Sequence, residues 1–385
     1  MKISLPKTPQ ENDSCWRAIQ DQEWVQKLKD TPQDPIYHAE GDVHIHTKMV
    51  LDELCKNPQW QRAPQQQKDT LWLAALLHDV SKPYTTLYKD GGRIGHPGHS
   101  RKGAIHARAL LYEMGFDMGL REEVCGMIKY HQLPFWLIQD DKSEEKLIRL
   151  SWQTRADLVA TLAKADIDGR ICPDVEAIHE NIEMFLLMAD ELGIRQQAKS
   201  FVDAHTRFGF FQGRCGSVHD RIFDDTWGEV VIMCGLPGSG KDTWIEKFLD
   251  IPMISLDNLR RAQKVMHNDR KAQDRIRHQA VDQAKVFLRK KQPFVWNATN
   301  LYQKRRLPLI DMAVRYGARV RLVFIETSFA KIFAQNQDRP YPIPTAALQN
   351  LINKVELPNS LEAHQVDYVC DGDQVQMPFL PTLTV

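Results

Sequence analysis

Through the first half of the chain, apolar residues recur at intervals of three and four. The segments VHIHTKMVLDELC (43–55), TLWLAALLHDV (70–80), KGAIHARALLYEMG (102–115), EEVCGMIKYH (122–131) and RADLVATLAKADIDG (155–169) carry that spacing and predict helices. From about residue 228 the pattern changes to short β-branched runs, EVVIMC, PMISL, PFVWN, VRLVFIE and DYVC, separated by helical stretches. Strands alternating with helices in this rhythm predict a parallel sheet with crossover helices. Between the two patterns, FGFFQGRCGSVHDRIFDDTWG (208–228) follows neither period and reads as a junction. The expected fold class is multidomain: an N-terminal extension (1–37), an all-α domain over 38–207, a linker (208–227) and an α/β domain over 228–385.

A length of 385 residues gives each half enough chain to bury its own core. The 50 basic and 50 acidic residues cancel, so no global basic field advertises nucleic acid, and any polyanion site must be a local patch. Seven cysteines are scattered without a CxxC pair, which suits a reducing compartment. The opening MKISLPKTPQENDSCW has no apolar signal core, and no run of about 18 apolar residues occurs, so a cytoplasmic protein with no membrane partner is expected.

GLPGSGKDT (235–243) joins EVVIMC to the helical pattern DTWIEKFL. Gly235, Leu236, Pro237, Gly238, Ser239 and Gly240 form the expected turn of inward-pointing amides that cradles a triphosphate, with Lys241 reaching the β and γ phosphates. The common pattern has Ser or Thr after the lysine, and this chain has Asp242. That carboxylate can serve Mg2+ directly or through water, and Thr243 still offers a hydroxyl and an amide near the α phosphate. The loop reads as a site for ATP, or another NTP, with Mg2+.

PMISLDNLR sets Asp257 just past the end of a strand and Arg260 one helical turn further on. A carboxylate there can take a proton from an attacking hydroxyl while the guanidinium holds a phosphate of the acceptor. The plainer alternative is an aspartate capping a helix beside a solvated arginine. NQDRPYPIPTAALQNLI places Arg339 in a Pro-rich segment ahead of a helix, as in a mobile lid (near 336–344) that closes on a transferring phosphoryl group. With NATN (297–300) and a basic pair after it, residues 228–360 resemble the polynucleotide 5′-hydroxyl kinases of phage and bacterial RNA repair. The resemblance implies Lys241 as phosphate clamp, Asp257 as general base, Arg260 as holder of the acceptor's 3′-phosphate and Arg339 as transition-state arginine. The chain departs from that pattern at Asp242 and in NQDR, where such lids often carry more than one arginine.

In the first half, ionisable residues intrude on apolar faces. His78 and Asp79 end the strongly apolar LAALLHDV, His46 opens another amphipathic helix, His131 extends the face of Val124, Met127 and Ile128, and Asp166 shares that of Leu158 and Leu162. Each alone reads as a core residue with a local partner. Five aimed inward from different helices or helix ends point to a shared metal, because burying such groups unpaired is costly. The order His…His-Asp…His…His…Asp resembles the HD-domain metal phosphohydrolases over 38–200. That resemblance implies His46, His78, Asp79, His99, His131 and Asp166 as ligands, enough for two ions that share Asp79. For the fourth ligand PGHSRKGA favours His99, with His96 as the alternative or as an outer partner. Ser81 stands where the family's HD-x-GK usually has glycine. Lys82 is kept, and with Arg101 and Lys102 it could steer a phosphate onto the metals. Six N and O ligands without cysteine suit one or two divalent ions among Mn, Fe, Co, Ni, Zn and Mg.

An HD domain followed by a polynucleotide kinase resembles the bifunctional HD–polynucleotide kinase fusions of bacterial RNA end healing. The resemblance implies ATP-dependent phosphorylation of 5′-hydroxyl RNA or DNA ends. It also implies metal-dependent removal of a 2′,3′-cyclic phosphate or a 3′- or 2′-phosphate, with a separate ligase acting downstream. Two other readings stay open on sequence alone. One is a nucleoside-type small-molecule kinase fused to an HD nucleotide phosphohydrolase, and the other is a nucleotide-gated RNA-binding regulator.

Overall fold

The computed structural model describes residues 3–265, 269–339 and 341–381. The chain divides into two compact units, Met1–Lys199 with Gln376–Val385, and Ser200–Val375. Residues 3–37 lie within the first unit, where Trp16, Ile19, Trp24, Val25 and Leu28 are buried. The helix Ala204–Phe211 lies within the second, so that unit begins ahead of the 208–227 stretch.

The first unit is helical. Its main elements are α1 (Val43–Lys56), α2 (Gln65–Leu77), α3 (His99–Glu113), α4 (Met118–Tyr130), α5 (Ala156–Asp168) and α6 (Val175–Glu191). Asp42 starts α1 by accepting the Ile45 N–H at 2.9 Å, and Asp117 starts α4 by accepting that of Leu120 at 2.9 Å, each satisfying an amide that the helix leaves free. From Thr70 to Leu77 every residue of α2 is buried. A helix apolar on all sides belongs in the middle, and α2 packs against α1, α4 and α5. At Gly126 of α4 a Cβ would come 2.4 Å from the Gln153 carbonyl oxygen, so only glycine admits that close approach. From the far end of the chain, the Pro378 ring approaches to 3.5 Å of where a Cβ on Gly119 would sit.

The second unit is the expected α/β layer structure. In chain order it holds β1 (Glu229–Cys234), α7 (Lys241–Phe248), β2 (Met253–Ser255), α8 (Leu256–Ala262), α9 (Arg270–Arg289), β3 (Phe294–Asn297), α10 (Gln303–Arg315), β4 (Arg319–Glu326), α11 (Phe329–Gln337), α12 (Thr345–Ile352), β5 (Gln365–Cys370) and β6 (Asp373–Gln374). The five β-branched runs are all strands of one sheet, in the order β2-β3-β1-β4-β5-β6. Every pair is parallel except β5 with β6. Val231 pairs with Val295 on one side and with Arg321 on the other, which makes β1 central. Val231, Met233, Val295, Val323, Ile325 and Val369 bury one face against Ile245 of α7. The strand order turns at β1, and its carboxyl end is where an open parallel sheet leaves a crevice for a ligand. Among the described residues, no helix is long and apolar enough to cross a membrane.

Candidate active sites

Five helices of the first unit bring side chains near their ends to one buried point. His78 and His131 follow the last turns of α2 and α4, and each turns Nδ1 back to a carbonyl of its own helix, Ala75 O at 2.7 Å and Ile128 O at 2.7 Å. These bonds occupy carbonyls that a helix end leaves free, and they fix the proton on Nδ1 so that the Nε2 lone pair faces inward. His99, the first residue of α3, does the same through the His96 carbonyl at 2.8 Å. Ser81 donates to the His99 carbonyl at 2.7 Å, which gives the residue in the glycine position of the HD-x-GK pattern a task. His46 enters from α1 and Asp166 from α5.

The six side chains singled out by sequence meet. His46 Nε2 lies 3.1 Å from Asp166 Oδ1 and 3.3 Å from His78 Nε2. Asp79 sits between two groups: its Oδ2 is 3.1 Å from His78 Nε2, and its Oδ1 is 3.4 Å from His99 Nε2, which is itself 3.4 Å from His131 Nε2. His46, His78 and Asp79 are thus spaced to hold one ion, and Asp79, His99 and His131 a second. Asp79 has a side chain 2 % exposed, and its two oxygens face imidazole Nε2 atoms on both sides, with the Lys82 ammonium 2.6 Å from Oδ2. A buried carboxylate set between two groups of inward-facing imidazole nitrogens fits a divalent ion on either side. Burial pushes His131 down to about 3 and lowers His99, so both present free lone pairs at neutral pH. Burial would raise Asp79, but the neighbouring His78 and the Lys82 ammonium hold its carboxyl well below the usual carboxylate range.

Lys82 sits at the edge of this centre, its Nζ 2.6 Å from Asp79 Oδ2 and 2.6 Å from Gln33 Oε1. His96 is half-buried outside the ring of Nε2 atoms, with Nδ1 3.4 Å from the Thr86 hydroxyl and Nε2 without a partner among the described residues. Arg170 grips Asp166 by both oxygens, at 3.0 and 2.7 Å. Sequence reasoning missed Gln33 and Arg170. Arg170 carries a usable signal, because it stands one helical turn after Asp166.

In the second unit, β1 runs into the glycine loop and then into α7. Gly235 has φ +142, and a Cβ there would meet the Ile325 carbonyl at 2.3 Å, so the loop leaves the sheet by a route closed to other residues. Lys241 is folded back on this loop, its Nζ donating to Gly235 O at 3.0 Å and Leu236 O at 2.7 Å. Burial pushes its amine down to about 8 against the pull of Asp242 and Asp257. Asp242 accepts from Asn297 Nδ2 at the end of β3, and Asn300 Nδ2 donates to Met233 O at 2.7 Å, so NATN braces the loop from the neighbouring strand. Asp257 is the second residue of α8 and does not cap it. Ser255 does, accepting from the Asn258 N–H. Asp257 Oδ1 instead accepts from Arg260, whose Nε is anchored to Gln273 Oε1 of α9 at 2.8 Å.

These groups line one cavity of about 860 Å³ at the carboxyl ends of the strands. Pro237, Gly238, Gly240, Lys241, Asp242, Thr243, Asp257, Arg260 and Arg339 all reach it, whereas Gly235, Leu236 and Ser239 lie behind it. Arg339 passes over the loop, with Cδ 3.6 Å from where a Cβ on Gly238 would sit. The lid stretch expected near 336–344 includes residue 340, which lies outside the described residues. Arg261, Arg277, Lys304 and Arg305 join the same lining. The basic run after NATN splits here, because Arg306 points the other way into a buried ion pair with Glu362 at 2.7 Å.

Family comparison finds one match within each unit. The HD domain model matches residues 43–165, and the AAA domain model matches residues 230–358. Over 106 residues the chain is 35% identical to a CC-adding tRNA nucleotidyltransferase of Thermus thermophilus, covering 27% of this chain and 22% of that protein. Over 107 residues it is 30% identical to a multifunctional CCA protein of Halorhodospira halophila, covering 28% of this chain and 23% of the relative. The chain thus spans less than a quarter of the length of these curated relatives. A gluconokinase from Sinorhizobium meliloti aligns over 37% of this chain and 84% of its own, at 18% identity and a TM-score of 0.28. The chain joins a helical HD domain to an α/β, P-loop kinase-like domain of the AAA type.

Proposed function

We propose that the protein heals nucleic-acid ends, phosphorylating a 5′-hydroxyl terminus in its second unit and removing a 2′,3′-cyclic, 3′- or 2′-phosphate in its first. One observation carries this reading. On a chain of 50 basic and 50 acidic residues, the P-loop cavity gathers seven cationic side chains, Lys241, Arg260, Arg261, Arg277, Lys304, Arg305 and Arg339, against Asp242 and Asp257. A triphosphate and Mg2+ account for Lys241 and Arg339, and the remaining five suit an acceptor that itself carries phosphates. Asp257 takes the proton of the attacking hydroxyl as its oxygen bonds to the γ phosphorus and the bridging bond to ADP breaks. In the first unit Lys82 can meet a phosphate oxygen beside Asp79. Divalent ions bound there would polarise the ester and acidify water. One relative is by name a tRNA nucleotidyltransferase, which agrees with an RNA substrate.

The test is an RNA bearing a 5′-hydroxyl and a 2′,3′-cyclic phosphate, incubated with ATP and divalent metal, with both ends followed. A 5′-phosphate and a 3′-terminus stripped of phosphate are expected, and the product should become a substrate for a separate ligase. Asp257→Asn should lower the 5′ reaction by orders of magnitude and leave ATP binding largely intact. Equal rates in wild type and Asp257→Asn would exclude the assigned base.

A further inference from the structure

The metal-binding centre of the first unit is completed by a residue that precedes the stretch matching the HD domain. Glu40 has a side chain 1 % exposed, and its Oε1 lies 3.0 Å from His46 Nδ1 and accepts from His38 Nδ1 at 2.8 Å. Its Oε2 accepts the Ile171 N–H at 2.9 Å, which fixes the plane of the carboxylate. The other three imidazoles of the centre give Nδ1 to backbone carbonyls only. His46 alone among the four has a carboxylate beside Nδ1, Glu40 Oε1 at 3.0 Å, in addition to the Gly169 carbonyl that accepts from it at 3.1 Å.

His38, Glu40 and His46 stand close enough to be taken for a further cation site. The proton count argues against that. Nδ1 of His46 faces two acceptors and therefore carries hydrogen, so it has no lone pair to offer there while Nε2 faces the centre. We propose that Glu40 is a positioning residue, holding His46 in the Nδ1–H form and making Nε2 a stronger donor for the ion bound with His78 and Asp79. The two ends of the centre are then unlike: the His46 end is tuned by a charged outer partner, and the His99–His131 end by neutral carbonyls. The proposal rests on the first unit being a metal centre.

Titration of the metal-free full-length protein with Mn2+, followed by calorimetry and by EPR, tests it. Wild type should take up two ions that share Asp79 and give a spin-coupled spectrum. In Glu40→Gln, affinity at the His46 end should fall roughly 10- to 100-fold, so that at limiting Mn2+ the spectrum becomes that of an isolated ion held by His99 and His131. Glu40→Asp keeps the charge and should fall in between. It serves as the deciding variant if Glu40→Gln does not fold. An unchanged isotherm and coupled spectrum in the variant overturn the proposal, as does equal weakening of both ends, the mark of a merely structural role. A wild type that binds no Mn2+ removes the metal reading itself, a result distinct from either.

Discussion

Arg260 divides its guanidinium between Asp257 and Gln273. Tethered at Nε, it has only to release the carboxylate to meet an acceptor phosphate, and that release frees Asp257 to take a proton. A nucleoside 3′-monophosphate should therefore be phosphorylated at least tenfold faster than the nucleoside, and Arg260→Ala should erase most of the gap. A charge-assisted contact of about 1.5–3 kcal/mol sets that scale. Rates indifferent to the 3′-phosphate would favour a small-molecule acceptor. Lys241 gives a pH dependence whose sign is fixed. Its folded pKa is depressed to about 8, so as pH rises through that value the free protein loses the charge that polyphosphate needs. Nucleotide binding then takes up a proton, and affinity should decline by about tenfold per pH unit above 8. Lys241→Arg, which stays charged, should flatten the profile, measured as ATP-analogue binding from pH 7 to 10. A flat profile in wild type would show that Lys241 is charged throughout.

At the scale of elements, close contact between backbones sets the limits. Gly126→Ala would drive a methyl group into the Gln153 carbonyl, and α4 must shift to admit it. A loss of about 1–3 kcal/mol is expected, read as a lower midpoint in thermal or urea unfolding of the full chain. An unchanged midpoint would mean that α4 has slack. The helices and strands themselves were legible where burial imposes a period on them: 3.6 around α1, whose buried residues run Val43, His46, Thr47, Val50, Leu51, Leu54 and Cys55, and near-continuous β-branched runs in β1 and β4. The convergence of His46, His78, Asp79, His131 and Asp166 was legible for a related reason, since each breaks an apolar face. Gln33 and Glu40 gave no such signal. They lie in a polar stretch without a repeat, and chain reversals bring them to Lys82 and His46. Gln273 and Arg277 were hidden differently, on the polar side of the long helix α9, where a residue that holds Arg260 or reaches the cavity looks like one turned toward water.

For the molecule as a whole, two chemistries on two units should be separable. His78→Ala, by removing an imidazole at the centre of the first unit, should abolish 3′-phosphate removal and Mn2+ binding at that end, yet leave 5′ phosphorylation at the wild-type rate. Lys241→Ala should do the reverse. Loss of both reactions in a folded His78→Ala protein would mean a single shared site. The segment from Gln376 onward belongs to the first unit, although the whole of Ser200–Val375 is written before it. During synthesis the residues of the second unit are therefore all out of the ribosome before the first unit has its last piece, Pro378 over Gly119. A ribosome stalled near residue 375 would thus carry the α/β unit through Val375 together with a helical unit that still lacks Pro378.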